Sequence, residues 1–172
     1  MDLDFLTPAL AVGGRYEPQS CATLVQTHGI RRVVDVRLEA CDDADLLRQH
    51  GIELLHLPTP DGEAVPPALL DAGVDWVNAQ IDAGHRVYVH CEHGIGRSAV
   101  VALCVLCSRG LEPLEALRTA KRARWRISPS PEQLEGFTAW CRRRLQIAVP
   151  GFDALAHIAY AHLREGATAA SF

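Results

Sequence analysis

One stretch of this chain gathers residue types that together suit chemistry on a phosphate. Val87-Tyr88-Val89-His90-Cys91-Glu92-His93-Gly94-Ile95-Gly96-Arg97-Ser98 passes from a β-branched run, through a glycine-containing loop, into a long apolar run. Backbone N–H groups of such a strand–loop–helix turn can converge as an anion-binding nest, and Gly94 and Gly96 permit the tight turns it needs. The helix that starts near Arg97 adds its positive end. A cysteine facing that focus, Cys91, is expected to react as a thiolate. Arg97 brings a planar fork that matches two phosphate oxygens. A thiolate held beside a bound phosphoryl group is a phosphoryl-transfer nucleophile. Its reaction needs a general acid, because an oxygen leaving group departs more easily when protonated. Asp61, in Leu57-Pro58-Thr59-Pro60-Asp61-Gly62-Glu63, sits at a loop tip 30 residues before Cys91. Glu63 is the nearby competitor for that role.

The elements that must position these residues follow from hydrophobic period and turn chemistry. Ala9–Val12, Arg32–Val36, Ile52–Leu57 and Arg86–His90 read as short strands, rich in β-branched and aliphatic residues and bounded by glycine or proline. Helical patterns lie between them at Ser20–His28, Ala44–His50 and Pro67–Ala83, the last closed by Gly84. Beyond the fourth strand the chain is helical. Ser98–Arg109 is almost wholly apolar and is expected to be buried. Pro113 and Pro131 open two further helices, to about Arg124 and about Gln146, and Asp153 caps a last one ending near Leu163. Gly166–Phe172 is expected to fray. This order predicts an α/β fold: a central, short, mostly parallel sheet flanked by helices, with a helical C-terminal half. Parallel strands end on one side, so the Asp61 loop and the Cys91 loop should open at the same sheet edge, where α/β proteins bind ligands.

Composition narrows the function classes. With 172 residues, one domain is expected over 1–172, its core at about 9–147 and an extra helix at about 151–164. Apolar residues make up 48%, which excludes a disordered chain. A net charge of −4 argues against bulk attraction to nucleic acid, and no apolar run approaches a membrane span. The acidic start, Met1-Asp2-Leu3-Asp4-Phe5, lacks the basic onset of a secretory signal, so a cytoplasmic location is expected. Reduced thiols are then the default for the six cysteines, and Cys104-x-x-Cys107 suits core packing better than a redox turn. His157 and His162 lack the spacing and the third ligand of a metal site. The basic positions Arg118, Lys121, Arg122, Arg124 and Arg126, with Arg142–Arg144, read as solvated helix faces, or as a positive field that steers phosphorylated substrates. Trp125 reads as packing beneath the arginines, ahead of a contact with substrate.

The His-Cys-x5-Arg-Ser loop, the Pro-Asp loop upstream and the strand–helix order resemble the cysteine-dependent protein tyrosine phosphatase superfamily, most of all its small dual-specificity members. The likeness spans roughly residues 9 to 145. It implies that Cys91 forms a phosphocysteine and that Arg97 holds the phosphoryl oxygens. It implies that Asp61 protonates the leaving oxygen, that Ser98 donates a hydrogen bond to the Cys91 sulfur, and that His90 braces the loop from behind. Substrate contacts are implied for Glu92, His93, Gly94, Ile95 and Gly96, and for Gln133 in Ser130-Pro131-Glu132-Gln133. Neither metal nor cofactor is implied. Phosphate, sulfate or vanadate is the expected occupant of the loop, and a phosphorylated protein or peptide the expected substrate, phosphotyrosine first and phosphoserine or phosphothreonine after it. No aromatic-bearing loop of the tyrosine-specific enzymes is present, so a shallow cleft is expected. Phosphoinositide phosphatases often carry Lys or Arg inside the loop, where this chain has Glu92, His93 and Ile95. The His-Cys-x-His-Gly pattern also occurs in RNA 5′-triphosphatases, which usually have Asn where this chain has Gly96. A phosphatase of RNA ends, phosphoinositides or a small metabolite, a non-catalytic phosphate-binding module and a rhodanese-like protein are the rival readings.

Overall fold

The computed structural model of the chain describes residues 1–164, so the fray expected at Gly166–Phe172 lies outside the described residues. Five strands form one sheet: β1 (Leu3–Thr7), β2 (Leu10–Gly13), β3 (Ile30–Arg37), β4 (Glu53–Thr59) and β5 (Arg86–His90). Their order across the sheet is β1-β2-β5-β3-β4. β2, β5, β3 and β4 run parallel, while β1 turns back antiparallel on β2. The α/β class and the mostly parallel sheet are thus as the sequence predicts, apart from the edge strand β1. It carries Asp4 and follows directly on Asp2.

Seven helices are described: α1 (Cys21–Gln26), α2 (Ala44–Gln49), α3 (Pro67–Asp82), α4 (Arg97–Ser108), α5 (Pro113–Ala123), α6 (Pro131–Trp140) and α7 (Phe152–Ala159). Alternation along β5 divides them between the two sheet faces. Val87 and Val89 join the larger apolar cluster, made with α3 to α7. Tyr88 joins the smaller one, with Cys21, Leu24 and Leu47 of α1 and α2. α4 is the central helix: every residue from Arg97 to Cys107 is buried. A helix apolar all round must be surrounded, which fixes the direction in which its N-terminus points. Helix α6 continues as a π-helical turn over Cys141–Leu145 and stops where Gln146 takes a left-handed φ of 56°. No helix among the described residues is long and apolar enough to cross a membrane.

The sheet places the chemistry at one edge. Gly13, Asp35 and His90 are paired at the carboxyl ends of β2, β3 and β5. β4 ends there too, at Thr59, so the Asp61 loop and the Cys91 loop open on the same side. The two strands are not neighbours, however, because β3 lies between them. The loop after β3, which carries Glu39, therefore also enters the site.

Candidate active site

The loop from Cys91 to Arg97 has its carbonyls turned outward, and each has a partner. Glu92 O accepts from Arg15 N (3.0 Å), Ile95 O from Ser128 N (2.8 Å) and Gly96 O from Val100 N (3.0 Å). Arg124 spans two more, its Nη2 donating to His93 O (3.0 Å) and its Nε to Gly94 O (2.8 Å). On the other side of the peptide planes, the N–H groups of Glu92, His93, Ile95, Gly96 and Arg97 meet no protein acceptor among the described residues. Gly94 N donates to Cys91 Sγ at 3.3 Å. Buried N–H groups are almost always satisfied, so an arc of unclaimed donors at a helix N-terminus is the mark of an anion cradle. Gly94 is obligatory: its φ is +67°, and a Cβ there would lie 2.2 Å from the Gly13 carbonyl carbon.

Cys91 sits at the floor of this cradle, 3% exposed. Ser98 Oγ, in the first turn of α4, lies 3.2 Å from its sulfur. His90 is fully buried behind the loop. Its Nδ1 lies 3.4 Å from Cys91 O and its Nε2 2.9 Å from Asp42 Oδ2. Asp42 also accepts from Tyr16 Oη and pairs with Arg37 at 2.8 Å. Its hydrogen bonds to His90 and Tyr16 and the Arg37 charge outweigh its burial and hold the carboxyl below the usual range. Asp35, Asp42 and His90 are close enough to suggest metal ligands. Arg37 instead takes both Asp35 oxygens as well as Asp42, so a guanidinium already occupies the lone pairs that would face an ion and offsets one of the two negative charges.

Arg97 is 1% exposed, and its guanidinium is anchored from behind. Glu39 grips it through two hydrogen bonds of 2.7 Å each, and Thr59 O accepts a third at 2.9 Å. The Arg97 hydrogen bonds hold the Glu39 carboxyl well down, at about 2. Arg97 Nε remains buried with no partner. Asp61 Oδ1 lies 3.0 Å from Arg97 Nη2, while the Asp61 side chain is 76% exposed.

These residues line a cleft of about 200 Å³, bounded by Asp61, Gly62, Cys91, His93, Ile95, Gly96, Arg97, Ser128, Ser130 and Gln133. A phosphate group at its base would meet the thiol, unclaimed N–H donors and the open Nε of a fixed guanidinium. Asp61 stands at the rim and Glu63 does not line the cleft.

A sequence model of the family described as "Polymorphic toxin system, DSP-PTPase phosphatase" matches residues 17–111, more than half of the chain. The chain belongs to this DSP-PTPase family. Among curated proteins it is similar to the rat phosphatidylglycerophosphatase and protein-tyrosine phosphatase 1. That match is 34% identical over 119 residues, covering 65% of this chain and 62% of that protein. Dual specificity protein phosphatase 1 of the mouse is 41% identical over 58 residues, 33% of this chain and 16% of that protein. Among solved structures, Tk-PTP in its active form aligns with a TM-score of 0.76 at 27% identity, covering 83% of this chain and 97% of that one. PTPMT1 in complex with PI(5)P aligns with a TM-score of 0.74 at 26% identity, over 78% and 91%.

The structure refines several expectations for this DSP-PTPase site. Glu92 faces the cradle with its unclaimed N–H, while its side chain turns away to pair with Arg15 at 2.9 Å and Arg37 at 3.5 Å. Gly94 contributes the turn and a donor to the sulfur rather than a cleft wall. Gln133 lines the cleft, yet its Oε1 already accepts from Ser130 N and its Nε2 donates to Glu63 O. Trp125 does not pack beneath the arginines; it is 47% exposed and meets His162 edge-on. Two members of the basic run are not solvated either. Lys121 is buried against Ile127 O and Ala159 O, and Arg124 is the loop's brace. Arg124 is itself paired with Asp4 in β1, a strand the sequence reading does not include, and with Asp2 just before it. Sequence reasoning names neither Glu39 nor Asp42 and places Arg124 only in a basic run. Glu39 alone carried a signal, as an acid just past a strand that ends at the ligand edge.

Proposed function

We propose that this protein is a phosphomonoester hydrolase working through a phosphocysteine, with no metal, and that phosphotyrosine proteins are its leading substrates. The carrying observation is the arc of unclaimed loop N–H groups around Cys91 Sγ, closed by the orphan Nε of Arg97. Family membership supports the phosphatase chemistry.

In this reading the Cys91 thiolate attacks phosphorus in line with the leaving oxygen. The S–P bond forms as the P–O bond breaks, and the leaving oxygen takes the proton of Asp61. Water then attacks the phosphocysteine and gives a proton back to Asp61. The P–S bond breaks, its electron pair returns to sulfur, and phosphate leaves. Ser98 Oγ, placed beside the sulfur, stabilises the departing thiolate. Glu39 fixes the guanidinium plane, so Arg97 presents its open Nε to a phosphoryl oxygen without reorganising.

Arg97 is the only Lys or Arg among the cleft-lining residues, with His93 the only other basic side chain. That favours a substrate with a single phosphomonoester over a multiply phosphorylated head group. A second reading, a phospholipid or phosphoinositide monophosphate, is favoured by two relatives. One is named both phosphatidylglycerophosphatase and protein-tyrosine phosphatase, and another is solved in complex with PI(5)P.

Hydrolysis of para-nitrophenyl phosphate in the presence of a chelator, by wild type and Cys91→Ser, tests the chemistry. Chelator-resistant, Cys91-dependent turnover is expected, and turnover retained in Cys91→Ser would end the covalent mechanism. A panel of phosphotyrosine peptides, phosphatidylglycerophosphate and phosphoinositide monophosphates then separates the substrate readings by kcat/KM.

A further inference from the structure

We propose that the N-terminal turn of α6 is a clamp that holds the general-acid loop over the cleft, with Ser130 and Gln133 as its positioning residues. The inference rests on the reading of Asp61 as the acid. The loop between β4 and α3 has little of its own to hold it. Its one internal backbone hydrogen bond is a long one, Glu63 N to Pro60 O at 3.4 Å. Gly62 sits at a φ of +79°, and the Asp61 side chain is mostly in solvent. Yet three consecutive residues after Asp61 are tied to α6. Ser130 Oγ donates to Gly62 O at 2.7 Å, Gln133 Nε2 donates to Glu63 O at 3.2 Å, and Glu132 Oε1 accepts from Ala64 N at 3.3 Å.

The two inner members also cap their own helix. Ser130 Oγ accepts from Gln133 N at 3.1 Å, and Gln133 Oε1 accepts from Ser130 N at 2.9 Å, a reciprocal capping box. A hydroxyl both donates and accepts, and an amide has a separate oxygen and nitrogen, so each side chain serves the helix with one function and the acid loop with the other. Gln133 is 2% exposed and also abuts the nucleophile loop: a Cβ at Gly96 would lie 2.6 Å from its Oε1. It stands between the two loops that must cooperate. Its position sets where the acid lies relative to the bound phosphoryl group.

The dual bonding lets the two roles be separated. Gln133→Glu keeps the capping acceptor, since Glu serves at this position as Gln does, but cannot donate to Glu63 O. Ser130→Asp keeps the N-cap but cannot donate to Gly62 O. Ser130→Thr keeps both functions. The readout is the ratio of kcat/KM for para-nitrophenyl phosphate to kcat/KM for phenyl phosphate, which reports the step that forms the phosphocysteine, where the poorer leaving group depends on proton donation. A loss common to both substrates, from added charge or from instability, cancels in the ratio. Asp61→Asn is expected to raise the ratio by about a hundredfold, within the usual span for a general acid, and Gln133→Glu and Ser130→Asp by about tenfold. Ser130→Thr is expected to restore the wild-type ratio. If Asp61→Asn shifts the ratio while both clamp variants leave it unchanged, the clamp is overturned and the acid reading stands. A Ser130→Thr ratio that follows Ser130→Asp would also overturn it. If Asp61→Asn itself leaves the ratio unchanged, the acid reading fails and the clamp falls with it.

Discussion

The two loops that meet at the cleft are built in opposite ways. The nucleophile loop lies between a fully paired central strand and a buried helix, and every one of its outward carbonyls from Glu92 to Gly96 is claimed by the scaffold. The acid loop carries an exposed Asp61 and is held through the side chains of another helix. The first must offer fixed donors to a charge that develops during the reaction, and donors fixed in advance cost no reorganisation. In the proposed reaction the second lets a leaving group in and out while keeping a proton within reach. Rigidity in one and a releasable hold in the other match those two demands.

The sharpest way to break the comparison is at its centre. Cys91→Ser removes the nucleophile and leaves the cradle, so turnover of para-nitrophenyl phosphate should vanish while phosphate or vanadate still binds, as calorimetry would show. Binding lost along with turnover would mean that the sulfur organises the loop as well as reacting. Gly94→Ala should nearly match that loss of activity for a different reason. Its Cβ would collide with the Gly13 backbone, and the left-handed φ alone costs roughly 1–2 kcal/mol. A lowered Tm together with lost phosphate binding is the expected result, and an unchanged Tm would show that the loop can relax.

Arg124→Met tests whether carbonyl anchoring makes the cradle. It strands His93 O and Gly94 O and leaves Asp2 and Asp4 without their cation. Each unsatisfied buried group costs about 1–3 kcal/mol, so a clear fall in Tm is expected, with a rise in KM for para-nitrophenyl phosphate larger than any fall in kcat. An unaltered KM would show that the N–H arc is set by the α4 terminus alone. Glu39→Gln should have the smallest effect, about tenfold in kcat/KM, because one bond from the guanidinium to a neutral amide oxygen replaces a two-bond ion pair. Arg97 keeps the folded-state Glu39 carboxyl at about 2, below its ordinary value of 4.5. The pair's contribution is therefore fully present above about 4.5 and is lost as pH falls through about 2. The ratio of wild type to Glu39→Gln should stay constant from pH 5 to 8. A ratio that varied across that range would place the titrating group elsewhere.

The chain itself determined the local facts. Short runs of β-branched and aliphatic residues bounded by glycine or proline specified the strands, and proline and glycine marked the ends of α3 and the start of α6. The spacing from His90 to Ser98 specified a strand, a turn and a helix start in that order. Those signals lie within a few residues of one another, so they survive in the sequence. The clamp was half legible in the same sense, since Ser130-x-x-Gln133 is a local capping pattern, although its target loop is not. What the tertiary structure alone decided is which distant groups claim the free ends of these elements. Asp2 meets Arg124 across 122 positions, Glu39 meets Arg97 across 58, and Gln133 meets Glu63 across 70. Such pairings depend on strand order and on the packing of helices against the sheet. An ion pair or a side-chain-to-carbonyl bond leaves no periodic trace along the chain, so a basic run that reads as a solvated face can hold the brace of the active site.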